Sequence, residues 1–201
     1  MTDSELTMLS FIQDGLNYSY IIEKVIDGKK LRDYFELSFS SIYFLTNILE
    51  KKNLVETYPS FGKKKVGKKA IKITESGTET LKKSFTDKFS AKPQLSHPFD
   101  YILYHCHHFT SQELKSGLNK YIKESERIYL YYFQKYEDKK NSDNLEIGEK
   151  MVLKHFIHRL KGEIEWAKET KIYLQSIKNL DEELEKQKRN ISEYFKRLIL
   201  D

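Results

Sequence analysis

The chain has 201 residues, 39% of them hydrophobic, 32% charged and 13% aromatic, with a formal net charge of +5. Its 14 tyrosines and 12 phenylalanines supply enough apolar surface to exclude intrinsic disorder, and 8 glycines with 3 prolines exclude a collagen-like or low-complexity chain. The longest charge-free run, Leu37–Leu49, is too short for a membrane span, the start Met1–Glu5 is acidic rather than a basic leader, and the lone Cys106 cannot pair internally; a soluble cytoplasmic protein without a membrane partner is expected.

Thr2-Asp3-Ser4-Glu5 has the pattern of a capping box, and Leu6, Leu9, Phe11 and Ile12 continue it into a first helix ending near Gly15. Tyr18, Ile21, Ile22, Val25 and Ile26 repeat at helical spacing, and Gly28 closes this second helix. Ser38, Ser40 and Ser41 are available to cap a third helix, whose apolar set is Ile42, Leu45, Ile48 and Leu49. The pattern then changes period. Leu54–Tyr58 and Lys69–Thr74 alternate and are rich in β-formers, and Pro59–Gly67 between them holds two glycines, so the pair predicts a hairpin. Thr74-Glu75-Ser76-Gly77 opens a fourth helix through Leu81 and Phe85.

Charge follows the same map. Between Lys51 and Lys72 stand eight lysines (51, 52, 63, 64, 65, 68, 69 and 72) and one acid, Glu56, whereas residues 91–201 carry 20 basic and 18 acidic side chains. A local excess of this kind is what a polyanion-binding face requires, although a solvated lysine-rich loop has the same composition. The element order favours the polyanion-binding face. Three helices, a hairpin and a helix are the order of a winged helix-turn-helix, in which the third helix enters the major groove and the hairpin tip meets phosphate.

Lys92–Pro98 carries two of the three prolines and marks a boundary, giving a winged-helix DNA-binding domain over 1–92 and a helical dimerisation domain over 93–201. Beyond it a short helix is expected over Phe99–Phe109. Thr110-Ser111-Gln112-Glu113 caps a long helix with Leu114, Leu118, Tyr121, Ser125, Ile128 and Tyr132 on one stripe. After the polar break Asp138–Asp143 a second long helix begins near Leu145, and a last one follows a hinge near Asn179–Leu180. Two or three long helices cannot close a large core alone, so their stripes are expected to meet each other or a second subunit. A two-fold homodimer would set two winged helices about one DNA turn, roughly 34 Å, apart. The fold class is thus mainly α, with a small β-hairpin wing and a C-terminal long-helix dimerisation domain.

The stretch Ser41-Ile42-Tyr43-Phe44-Leu45-Thr46-Asn47-Ile48-Leu49-Glu50-Lys51-Lys52-Asn53-Leu54-Val55 resembles the recognition-helix pattern of PadR-type transcriptional regulators, which runs Ser-Ile-Tyr-Pro, Leu, Leu-Glu and Gly-Leu-Val. Ser19–Ile26 is similar to the family's second helix, Lys69–Gly77 to its second wing strand and Leu-Thr-Glu-Ala-Gly exit, and Leu160–Trp166 to the helical dimerisation region of the PadR and AphA virulence-activator group. The likeness extends over residues 1 to about 178 and is strongest over 38–77. Phe44 stands where the family has Pro, Ser19 and Asn53 where it has Gly; Asn still tolerates a left-handed helix exit, and Pro in an early turn is permitted rather than required. The resemblance implies a regulator, often a repressor, that binds a pseudo-palindromic operator as a homodimer and in some members answers to small aromatic or hydrophobic effectors. The tail Leu180–Asp201 exceeds the common pattern and is expected to enlarge the dimer contact.

The candidate DNA-contacting residues are Ser40, Ser41, Tyr43, Thr46, Asn47, Lys63, Lys64, Lys65, Lys68 and Lys69. Hydroxyls at a helix start donate to phosphate, Asn pairs with adenine in the major groove, and lysines neutralise phosphates as a group. Tyr43 leads by resemblance; a packing role is its alternative. Lys51 and Lys52 end the helix and serve equally well to offset its dipole. Tyr129, Tyr132, Phe133 and Trp166 are candidates for the dimer core or for an aromatic ligand pocket. His105 and His108 at one helical spacing, with His155 and His158 at another, suggest four imidazoles for a metal, but no known zinc-module spacing is present; ordinary packing histidines are the expected reading, with no metal and no cofactor. Walker A, GxGxxG, HExxH and Gly-x-Ser-x-Gly are absent, and Cys106 in an apolar helical setting is expected to be inert, so no enzyme is expected. Two rival readings stand beside the regulator: a winged-helix protein-interaction module without specific DNA binding, and a His/Cys metal sensor.

Overall fold

A computed structural model describes residues 1–34, 39–59, 69–92, 97–140 and 145–200. The chain divides into two compact units, Met1–Gln94 and Leu95–Asp201.

In the first unit the elements are α1 (Asp3–Gln13), α2 (Ser19–Gly28), a 3-10 turn (Leu31–Asp33), α3 (Phe39–Lys51), β1 (Val55–Pro59), β2 (Lys69–Ile73) and α4 (Glu75–Phe89). Thr2 caps α1 with the expected box: its hydroxyl accepts from the Glu5 amide, and the Glu5 carboxylate accepts from the Thr2 amide. The second helix does end at Gly28, but the left-handed residue that turns the chain is Lys30, at φ 52°. Ser40 and Ser41 lie inside α3 rather than ahead of it, and Ser38 is outside the described residues. At the other end of α3 Asn53 takes φ 57°, the left-handed exit expected of it.

The two strands pair antiparallel with Val55 opposite Ile73 and Pro59 opposite Lys69. The β2 edge is also tied to the α1–α2 loop, where the Ile71 amide donates to the Asn17 carbonyl at 2.8 Å. Leu6, Leu9 and Ile12 of α1 meet Ile22 and Ile26 of α2, Ile42, Leu45 and Leu49 of α3, Val55 and Ile71 of the strands and Leu81 of α4 in one core. Each of these positions belongs to a stripe of period 3.6 or 2, which is why one apolar centre serves helices and hairpin alike.

Glu5 is a buried charge among the described residues of this unit. Glu5 is 5% exposed and accepts from the Lys52 ammonium at 2.7 Å. Burial raises its pKa, but the Lys52 ammonium and the Thr2 amide together outweigh burial and hold it below the ordinary 4.5. A lowered folded-state value means that the pair stabilises the fold above pH 4.5 and loses its effect as pH falls through the folded-state pKa. Glu5→Gln is therefore expected to cost about 1 kcal/mol near neutrality, where Lys52 keeps access to water, and the deficit relative to the parent should shrink in urea melts below pH 4.5. A constant deficit across that range would remove the ion pair as its cause.

The second unit contains α5 (Pro98–Tyr104), a 3-10 turn (Cys106–His108), α6 (Ser111–Lys139), α7 (Ile147–Ser176) and α8 (Leu180–Leu200). The expected helix over Phe99–Phe109 is thus shorter. His97 and Asp100 form its capping box, and the chain leaves α5 at His105 into the tighter turn. Thr110 and Glu113 cap α6 as expected. Contacts run in opposite order along α6 and α7: Tyr121 donates to Glu163, Tyr132 meets Phe156 and Lys139 meets Glu149, so the two helices are antiparallel. Leu118 and Ile122, Ala167 and Leu174, and Leu180 and Leu184 form the core of α6, α7 and α8. The start of α8 is fixed by Asp181, whose carboxylate accepts from both the Ser111 amide and hydroxyl at 2.7 Å. No helix among the described residues is long and apolar enough to cross a membrane.

Candidate nucleic-acid interface

The inward face of α3 is set by Ile42, Leu45 and Leu49, at steps of three and four, which leaves its other face outside. Tyr43 is 53% exposed there, and Asn47, one turn further, is exposed with it. Both border a cavity of about 350 Å³ closed by Tyr18 and Tyr20 from the start of α2 and by Thr57 and Lys69 from the hairpin. The Tyr18 and Tyr20 rings lie 5.7 Å apart. The outward face of α3, the start of α2 and the hairpin therefore converge around one concave surface.

Thr46 lines the same cavity but is largely covered. It is 7% exposed, and its hydroxyl donates to the Ile42 carbonyl at 2.9 Å inside its own helix. Its position one step after Leu45 places it on the inner side of the helix, which spacing from Tyr43 alone does not reveal. Ser40 and Ser41 sit in the first turn of α3. On the wing, Lys69 is exposed on β2, and Lys72 is exposed across from Glu56. Lys63, Lys64, Lys65 and Lys68 lie outside the described residues. Of the two lysines near the end of α3, Lys51 is exposed, while Lys52 is engaged with Glu5 of α1. Tyr18 and Tyr20 were not among the expected site residues; the signal for them was two aromatics flanking the first residue of α2.

In the second unit the four aromatic candidates do not gather. Tyr129 stacks on Phe133 at 5.7 Å, Tyr132 sets its edge against Phe156 of α7 at 5.1 Å, and Trp166 meets Phe99 edge-to-face at 5.9 Å. Phe99 in turn stacks on Tyr121 at 4.4 Å, so Trp166 belongs to the unit's own core. Burial, then the hydrogen bond to Glu163, pushes the Tyr121 phenol up to about 12, and it remains a donor throughout the working range. The histidines also fall differently from expectation. Because α5 stops at Tyr104, His105 and His108 share no helical face; they meet His107 at the 3-10 turn instead, and His155 and His158 are exposed on α7. Burial, followed by the charges of His108, His105 and Lys188, lowers the pKa of His107.

No family model and no curated protein sequence matches the chain. Solved structures do match. Bacillus subtilis PadR in complex with operator DNA aligns over 85% of this chain and 98% of its own, at 17% identity and a TM-score of 0.65. The Vibrio cholerae virulence activator AphA aligns over 87% and 99%, at 18% identity and a TM-score of 0.66. The fold is that of the PadR-type regulators. A third match, Bacillus subtilis PadR in complex with p-coumaric acid, covers 86% of this chain and 98% of that one at 16% identity, with a TM-score of 0.66. The PadR-type fold thus accounts for both units, including the long helices after residue 98.

Proposed function

We propose that this protein is a PadR-type transcriptional regulator that binds duplex DNA as a homodimer, through contact and not catalysis. The observation that carries this reading is the outward face of α3, where Tyr43 and Asn47 lie exposed beside Lys69 of the wing, in a fold whose relative is solved on operator DNA. In this reading Asn47 reads a base edge, Tyr43 and the start of α3 at Ser40 and Ser41 meet the backbone, and Lys63, Lys64, Lys65, Lys68 and Lys69 grip phosphate. Thr46 borders the same cavity with its hydroxyl donated to the Ile42 carbonyl, and its part in this reading is packing beside Asn47.

Dimerisation is supported by apolar side chains that the second unit leaves in water. Leu130, Tyr131 and Phe133 on α6, Ile172 and Tyr173 on α7, and Tyr194 and Phe195 on α8 are all exposed. A two-fold axis through such faces gives two recognition helices and a pseudo-palindromic operator. The sign of action in this reading is repression, and an aromatic effector of the p-coumaric acid kind shifts the population between two inter-wing angles.

The test is selection of genomic DNA fragments by the purified protein, followed by footprinting. A recurring two-fold site is expected; binding with no sequence preference at physiological salt would favour the protein-interaction alternative. On the selected site, Tyr43→Phe removes one hydroxyl and should weaken binding by about 3- to 15-fold with the dimer intact. Unchanged affinity in that variant would take the Tyr43 hydroxyl out of the interface.

A further inference from the structure

We propose that His105, His107 and His108 form a binding site for one divalent transition-metal ion of the zinc, cobalt and nickel class. The three residues are brought together by backbone, not by sequence spacing on a helix. His105 is the C-cap of α5, and the 3-10 turn Cys106–His108 doubles the chain back behind it. One donor nitrogen from each imidazole lies within 4.8 Å of the other two. The ring centroids are 4.3 Å apart for His107 and His108, 5.9 Å for His105 and His107, and 6.2 Å for His105 and His108. A tetrahedral ion with bonds of about 2.0–2.1 Å needs donor atoms roughly 3.3–3.4 Å apart, so the imidazoles would draw closer on binding than the 4.8 Å within which their donors now lie.

A second observation points to a ligand. His107 is 6% exposed, and its Nδ1 is buried without a hydrogen-bond partner. Buried polar atoms ordinarily have a partner, and a metal on this imidazole cluster would explain a ring nitrogen left without one in a packed position. His108 is exposed, which gives an ion access from solvent. Three imidazoles without a carboxylate select borderline transition ions over calcium or magnesium, and three protein donors leave a fourth position for water or another ligand.

The charges around the site are also defined. Lys188 of α8 acts on His107 and opposes a cation, but its ammonium lies 3.5 Å from Glu185, which offsets it. The same turn is held to α8 through Cys106, whose thiol donates to the Gln187 Oε1 at 3.7 Å, and through the Gln187 amide, which donates to the Tyr104 carbonyl at 3.4 Å. A metal that tightens the turn therefore acts on the seat of α8. Metal binding at this turn does not depend on DNA and is measured in its absence.

The test is titration of the full chain, free of any polyhistidine tag, with cobalt(II), followed by visible absorption and displacement by zinc(II). One saturable equivalent per chain is expected, with zinc raising the melting temperature by mass action. His105→Ala, at a half-buried position, and His108→Ala, at an exposed one, should each weaken cobalt binding at least tenfold, while His155→Ala/His158→Ala leaves it unchanged. Helical circular dichroism checks that each variant is folded. Absence of a saturable equivalent in the parent chain, or full affinity in the folded His105→Ala/His108→Ala double variant, would overturn the site.

Discussion

Alanine at Lys63, Lys64 and Lys65 together is expected to flatten the salt dependence of operator binding more than any other change in the first unit. Each lysine on a phosphate releases counterions on binding and contributes about −0.9 to the slope of log affinity against log salt. Three lysines per protomer, and six in a dimer, would remove up to about 5 from that slope, with roughly a thousandfold or greater loss of affinity at 0.1 M salt. These residues stand between β1 and β2, whose pairing puts the ends of the loop, Pro59 and Lys69, directly opposite each other. Discrimination between the operator and unrelated duplex should survive in part, because α3 is untouched. Measurement of the slope over a range of potassium chloride concentrations decides the matter, and an unaltered slope would place the phosphate contacts elsewhere.

Gly77→Ala is expected to be the most destabilising single methyl addition in the first unit. A Cβ at this position would stand 2.1 Å from the Leu54 carbonyl oxygen and 2.7 Å from the Ile73 Cγ1. The obstacle is backbone, so rotation of a side chain cannot relieve it. Gly77 also donates its amide to the Thr74 hydroxyl at 2.9 Å, while Thr74 donates its amide to Leu54 and its hydroxyl to Asn53. The start of α4 is thus pressed against the junction of α3 and β1. Relief of the clash requires α4 and the hairpin to part, at a cost of about 3 kcal/mol or more. For a unit of this size that is a fall of roughly 12–24 °C in its melting temperature. The hairpin carries the wing, so operator affinity should drop as well. A melting temperature within a few degrees of the parent would show that the approach relaxes at little cost.

Local patterns were decisive where one element contains its own cause. The capping boxes at Thr2 and Thr110, the alternating runs that became β1 and β2, and the left-handed Asn53 all depend on neighbours within a few residues, and each is legible in order along the chain. Which side chains come together at the next level does not follow from local pattern. Tyr129, Tyr132, Phe133 and Trp166 look like one set in composition, yet they fall into three separate contacts: Tyr129 stacks on Phe133 within α6, Tyr132 meets Phe156 of α7, and Trp166 meets Phe99 of α5. Thr46 does share a cavity with Tyr43 and Asn47, but it stands beside the core drawn by Ile42, Leu45 and Leu49 and is far less exposed than Tyr43 or Asn47.

The sequence by itself determined the order of helices and strands, the cationic stretch between Lys51 and Lys72, and the apolar stripe of each helix, since these follow from backbone preference and side-chain periodicity. Only the tertiary structure decided that Lys52 is engaged with Glu5, that Gly77 must lack a side chain, and that three imidazoles meet at the end of α5. The physical reason is separation along the chain or a break in period: Glu5 and Lys52 are joined by the packing of α1 on α3, Gly77 is confined by the carbonyl of Leu54, and the histidines converge through a 3-10 turn that interrupts the helical repeat.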